Sequence, residues 1–178
     1  MVIAISFIIT IIFQLYLLAV FLRLLLQLVK ADFYNPICQF LMKVTNPFLI
    51  PLRKIIPGFY GIDCAALVLL YIVQFIEISI IFGLQTGGFT PWIFLGSIFA
   101  LLSLLVNIYF YLIILRAIGS WFQPSYKQPL YNLILVLTEP ILRPLRKVIP
   151  VTGMIDWSSL VALIILIALR VFFSSFVV

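Results

Sequence analysis

The chain has no histidine at all, which excludes His-centred acid–base catalysis, His-ligated metal and an axial His to haem. Cysteine is nearly missing too. Cys38 and Cys64 form no CxxC pair, so the spacing of a redox or zinc motif is not there, and both read as small apolar residues. Charge is scarce at 9% of residues, and acidic charge scarcer still, with five Asp and Glu against eleven Lys and Arg. A soluble domain carries about 25% charged residues, so this composition excludes one. There is no nucleophile beside a base, no Gly-rich phosphate loop and no metal set, so neither an enzyme nor a cofactor is expected. The basic residues are few and are not clustered on a soluble surface, which argues against direct nucleic-acid binding.

What fills the chain instead is apolar. Of 178 residues 66% are hydrophobic and the mean hydropathy is +1.34, the signature of an integral membrane protein. Val2 to Leu22 is an uncharged run whose polar members are Ser6, Thr10 and Gln14; about 20 such residues cross the hydrocarbon. It lacks a basic n-region and a small-x-small cleavage site, so it is expected to be a retained helix rather than a signal peptide. Cys64 to Leu84, Trp92 to Leu115 and Trp157 to Val178 are the second, third and fourth spans, and Gln85 to Pro91, with Gly87 and Gly88, is an uncharged turn between the middle two.

The chain also repeats itself. Thr45-Asn46-Pro47-Phe48-Leu49-Ile50-Pro51-Leu52-Arg53-Lys54-Ile55-Ile56-Pro57 returns 93 positions later as Thr138-Glu139-Pro140-Ile141-Leu142-Arg143-Pro144-Leu145-Arg146-Lys147-Val148-Ile149-Pro150. The same offset pairs Tyr16 with Tyr109, Arg23 with Arg116, Pro36 with Pro129 and Asp63 with Asp156. An internal repeat dictates architecture before any other signal. The expected fold is an all-α membrane protein of four transmembrane helices, arranged as two parallel two-span repeats in one compact membrane domain. Repeat one covers 1–85 with its Pro-rich segment at 36–57; repeat two covers 92–178 with its Pro-rich segment at 129–150.

Each Pro-rich segment is expected to be short and helical, either lying in the interface or re-entering it. Pro36 suits a first helical turn, and Ile37, Phe40, Leu41 and Val44 fall on one helical stripe, as do Leu130, Leu133, Ile134 and Leu137 after Pro129. Pro47 is then expected to start a new helix, Pro51 to deprive its first turn of a backbone bond, and Pro57 to stop it. Every Lys and Arg except Arg170 lies in the segments that follow spans one and three. By the positive-inside rule both Pro-rich segments face the cytoplasm, with the N-terminus, central turn and C-terminus outside. Same-sense insertion of the two copies predicts a pseudo-two-fold axis along the membrane normal.

Two groups of polar residues stand out. Gln14, Gln74, Glu77, Asn107 and Arg170 interrupt the spans, and Glu77 lies 93 positions before Arg170, as Gln14 does before Asn107. At about 1.5 Å per residue Glu77 and Arg170 sit roughly 21 Å in from Asp63 and Asp156. One reading is a Glu77–Arg170 ion pair surrounded by the amides; the other is that Arg170 snorkels outward while Glu77 is protonated or partnered within its own repeat. Asp63 and Asp156 precede spans two and four, where a carboxylate caps helical N–H groups or bridges to Arg53 or Arg146. Gly61 and Gly153 read as turn formers.

The doubled Asn/Glu-Pro-x3-Pro-Leu-Arg-Lys-x-Ile-Pro box, followed by a Gly and then Ile-Asp before a span, resembles the YggT family, called YlmG in some bacteria and plastids. The resemblance covers essentially the whole chain. It implies motif positions at Pro47, Pro51, Leu52, Arg53, Pro57 and Asp63, and at Pro140, Pro144, Leu145, Arg146, Pro150 and Asp156. It also implies placement in a bacterial cytoplasmic membrane and a part in osmotic or potassium-related stress tolerance, cell division, or assembly of membrane complexes. Glu139 in place of Asn46 sets a negative charge beside the second box alone.

Two functions compete. A non-enzymatic accessory or scaffold protein would use the paired boxes, with Lys54 and Lys147, to hold anionic lipid headgroups or acidic protein segments, each juxtamembrane cation contributing about 1 kcal/mol. An oligomeric channel or transporter would pass an ion or small solute along the intramembrane polar cluster. The partners expected are the bilayer itself, anionic headgroups, and either a second copy of the chain or another membrane protein. Gly96, Ser97, Ala100 and Ser103 would permit close helix packing in a homo-oligomer.

Overall fold

A computed structural model describes residues 2–59, 61–121, 128–148 and 157–176. Six helices account for most of them: α1 (Val2–Leu28), α2 (Pro36–Ile55), α3 (Cys64–Thr86), α4 (Trp92–Trp121), α5 (Pro129–Val148) and α6 (Trp157–Ser174). Among the described residues no extended strand forms; a lone bridge joins Phe59 and Ile62. α1, α3, α4 and α6 are each long and apolar enough to cross a membrane, and they coincide with the four runs read from hydropathy.

The ends of the helices follow from local chemistry. Asn35 accepts a bond from the Ile37 N–H at 2.9 Å directly before Pro36, whose missing N–H costs nothing in a first turn. Asp63 accepts from the Ala66 N–H at 3.3 Å and starts α3. Gly87 closes α3 at φ 70°, a left-handed position that glycine takes without steric cost.

α2 and α5 differ from expectation. Pro47 and Pro51 lie inside one continuous 20-residue helix, and Pro140 and Pro144 inside another, so neither Pro47 nor Pro140 starts a new one. A proline removes one backbone bond and crowds the preceding turn. Here the helix continues because the residues on both sides bury against the same neighbours. The buried stripe of α2 is Cys38, Leu41, Thr45 and Leu49, spaced i, i+3, i+7, i+11, and it runs through Pro47. It is also rotated from the predicted one, since Phe40 is 63% and Val44 37% exposed. In α5 the stripe is Leu133, Ile134, Leu137, Thr138 and Leu142, with Leu130 on the exposed side. Pro57 lies beyond the end of α2, which stops at Ile55.

α1 packs on α2 and α3, α4 packs on α5 and α6, and α3 meets α4. The larger core joins Leu17, Val20, Leu24, Leu49, Leu69 and Leu70, and a smaller one joins Val106, Ile113, Leu142, Ala162 and Leu166. Cys38, 2% exposed, belongs to the larger core, and burial raises its thiol above the ordinary value with Asp32 pushing the same way, which keeps it protonated and inert.

One contact shows how the two halves compensate for differences in sequence. Gly119 leaves room for the Tyr131 ring, which an added Cβ would meet at 2.6 Å. At the offset of 93 these two correspond to Leu26 and Cys38, both buried in the larger core: a large and a small residue have exchanged sides. Gly119→Leu is therefore expected to destabilise by about 1–3 kcal/mol through overpacking. Tyr131→Cys in the same chain should recover most of it, read as coupling in a double-mutant cycle by thermal unfolding.

Candidate functional site

Arg23 is only 7% exposed although it carries a full charge. Its place is dictated by α1, where an arginine among Leu22, Leu24, Leu25 and Leu26 either leaves the apolar run or finds partners inside it. It finds them on α2. Nη1 of Arg23 donates to Thr45 Oγ1, and to Asn46 Oδ1 at 2.8 Å. Thr45 in turn donates to the Leu41 carbonyl at 2.7 Å. The matching group at the offset of 93 is Arg116, which donates to Thr138 Oγ1 at 2.7 Å and from Nη1 and Nη2 to Glu139 Oε2 at 3.1 Å, while Thr138 donates to the Ile134 carbonyl at 2.7 Å.

The two groups differ in charge. Arg116 has a carboxylate partner in Glu139, and Arg146 approaches that same carboxylate at 3.8 Å. Arg23 has neutral partners, and among the described residues it forms no ion pair. A buried guanidinium held only by neutral acceptors is incompletely compensated.

Arg53 completes the setting on the first box. Its Nε donates to Asp63 Oδ2 at 3.1 Å and its Nη2 bonds the same oxygen, so Asp63, 5% exposed, both caps α3 and ties the end of α2 to it. Arg23 and Arg53 line a groove of about 590 Å³ whose other walls include Gln27, Phe33, Met42 and Ile62. Pro47, Pro51, Lys54 and Pro57 are exposed and Leu52 half-buried. In the second copy Pro140, Pro144 and Lys147 are exposed, Leu145 and Arg146 half-buried. Pro150 and Asp156, the remaining expected members, lie outside the described residues, as does Gly153.

The intramembrane group is smaller than the sequence suggested. Glu77 and Gln74 are each 2% exposed. Gln14 Nε2 donates to Glu77 Oε1 at 3.0 Å and Oε2 at 3.1 Å, and Gln74 Nε2 donates to Oε2 at 2.9 Å. Arg170 is exposed on α6 and forms no ion pair with Glu77; of the two readings, the one with Glu77 partnered inside its own repeat is what the structure has. The reason is placement: α3 packs on α1 and α4, while α6 packs on α4 and α5, so the two charges sit on helices that do not meet. Asn107 also stays apart from Glu77. It lines an apolar groove of about 470 Å³ between α1 and α4, and its Oδ1 is buried without a partner.

Arg23, Arg116, Thr45 and Thr138 were not singled out from sequence as site residues. The signal was there, because the offset pairs both arginines and the repeated stretch opens on both threonines. An arginine inside an apolar run needs partners that the fold brings to it.

Six helices among the described residues, four of them long and apolar enough to cross a membrane, define a polytopic α-helical membrane protein with basic proline-containing helices between its spans. Within that class the chain belongs to the CCB3/YggT family, whose family model matches it twice, over residues 2–84 and again over 95–177. It is 43% identical to Uncharacterized protein PA0392 of Pseudomonas aeruginosa over 156 residues, 86% of this chain and 79% of the relative. It is 34% identical to Uncharacterized protein YggT of Escherichia coli K12 over 161 residues, 90% of this chain and 84% of the relative. An uncharacterized protein of Haemophilus influenzae is 38% identical over 155 residues, 87% and 83% of the two chains. No solved structure matches the chain.

Proposed function

We propose that this protein is a non-enzymatic accessory protein of the bacterial cytoplasmic membrane that holds an anionic lipid headgroup in the groove beside its first proline-containing helix. The observation that carries this reading is the charge state of that groove. Arg23 is buried against neutral partners, Arg53 stands beside it already paired with Asp63 on the same wall, so the groove keeps the charge of Arg23 uncancelled, and its walls are apolar enough to receive the first carbons of an acyl chain. The second box answers its own arginine with Glu139, so the first box is the one that attracts an anion.

The proposed placement puts α2 and α5 at the cytoplasmic surface, where the basic residues belong, and relates the two halves by a pseudo-two-fold axis along the membrane normal. The twofold family match and the offset of 93 shared by the starts of α2 and α5 and of α3 and α6 support that arrangement. With the headgroup held at one box, the other is left for a second membrane component, in keeping with a scaffold role in membrane-complex assembly, division or osmotic stress. Conduction is the second reading, favoured by the polar group at Glu77. It ranks lower because Leu17, Val20, Leu24 and Leu70, each at most 4% exposed, occupy the core on the Asp63 side of that group.

Reconstitution in phosphatidylcholine nanodiscs doped with an anionic phospholipid tests the proposal. Native mass spectrometry is expected to show the anionic lipid retained roughly fivefold over the neutral one, for the one uncompensated cation Arg23, and Arg53→Ala, which leaves the Asp63 carboxylate unpaired in the groove, to lower that preference. Equal retention of both lipids, or an unchanged preference in Arg53→Ala, would overturn it.

A further inference from the structure

Glu77 presents a different problem from the arginines: a carboxylate inside a span with no cation beside it. The side chains that hydrogen-bond it are both amides, and both donate N–H bonds to it, the arrangement that suits an ionised carboxylate rather than a neutral acid. Its charge is therefore spread but not cancelled. A carboxylate offers about four lone-pair sites, and Oε1 accepts only the Gln14 bond. Gln74, 2% exposed, has an Oε1 with no hydrogen-bond partner, a costly omission for a buried carbonyl.

Both side chains line one cavity of about 180 Å³ together with Gln14, Phe82, Gln85 and Ala100. At about 30 Å³ each, roughly six waters fill such a space. The cavity runs along α3 toward Gln85, next to the glycine turn and away from the basic boxes. In the opposite direction α1 and α3 run into the packed core at Leu17, Val20 and Leu70.

We propose that this cavity is a binding site for a single alkali-metal cation, held by the Glu77 carboxylate and Gln74 Oε1 and completed by water. The charge count selects the class of ion. One carboxylate balances one positive charge, whereas calcium takes six to eight oxygen ligands, commonly including several carboxylates, and magnesium demands near-octahedral geometry. Among the described residues no group of three or more His, Cys, Asp or Glu exists to hold a transition or divalent metal. All the donors are oxygens, as a hard monovalent ion prefers. The ion enters from the Gln85 end and leaves the same way, so the site binds without conducting. It is independent of the headgroup groove, which shares none of these residues.

The test is thermal unfolding of the purified full chain in detergent, with choline chloride exchanged for lithium, sodium, potassium or rubidium chloride at constant ionic strength. At a hundredfold excess over Kd at least one of these ions is expected to raise Tm by roughly 5 °C or more in a saturable way. Glu77→Gln should abolish the shift, and Gln74→Leu should weaken the ion's affinity by about tenfold. No shift with any of the four ions, or an undiminished shift in Glu77→Gln, would overturn the site. If Glu77→Gln does not fold, infrared difference spectra of the unaltered chain decide. Perturbation of a glutamate carboxylate band on adding the ion supports the proposal, and a protonated-acid band that persists at saturating ion refutes it. In liposomes no alkali flux above the protein-free control is expected; flux through the protein would overturn the closed site.

Discussion

Arg23→Ala is expected to destabilise the protein by about 3–5 kcal/mol, the largest effect of any single polar substitution in the first half of the chain. Each bond from a charged donor contributes about 1.5–3 kcal/mol, and Arg23 makes two of them, to Thr45 and Asn46. Its stem also fills space in the core, which alanine leaves open. Arg23→Lys keeps the charge but replaces a planar fork by a single ammonium, so it should recover only part of the loss. Chemical or thermal unfolding in detergent reads both. An Arg23→Ala protein as stable as the parent would show that α1 and α2 are held by their apolar contacts alone.

The second large effect is a gain. Asn46→Glu places a carboxylate where Glu139 stands beside Arg116, and it is expected to raise stability by about 1–2 kcal/mol by giving the buried Arg23 an anionic partner. The same change should remove the preference for anionic lipid, because the side chain then occupies the role proposed for the headgroup. Stability rises while lipid selectivity falls, a combination that general damage cannot produce. If Asn46→Glu stabilises the chain and leaves the lipid preference intact, the headgroup is not answering Arg23. The reciprocal Glu139→Asn should lower stability by less, since Glu139 is 46% exposed and solvent screens its attraction.

The all-helical class and its four spans were legible in the sequence, because spanning length and hydropathy are long-range signals that survive local ambiguity. The four apolar runs became α1, α3, α4 and α6, and Asp63 takes both parts open to it, cap and bridge. The course of α2 departs from the boundary that Pro47 suggests, since the helix runs on through it to Ile55. Propensity is local, and burial of Cys38, Leu41, Thr45 and Leu49 on one side outweighs two missing backbone bonds. The Glu77–Arg170 pair failed for a related reason. Matched depth fixes a residue along the membrane normal but not around it, and helix adjacency decides which charges can touch. The arginine groups needed three elements of information at once: the offset, the apolar flanks of Arg23, and the threonines that open the repeated stretch.

The threonine bonds have a consequence for the shape of the proline helices. Arg23 donates a hydrogen bond to Thr45, and Thr45 donates one to the Leu41 carbonyl, so a one-way string of donors runs from the neighbouring span into the backbone of α2. Pro47 leaves the Lys43 carbonyl without its usual donor in the very next turn, where the helix is easiest to bend. The stiffness that proline removes is thus resupplied from outside, by a side chain anchored on α1. The straightness of α2 is a property of the pair, and a change at Arg23 should be felt as a new tilt of Arg53 and Lys54, about two turns further along.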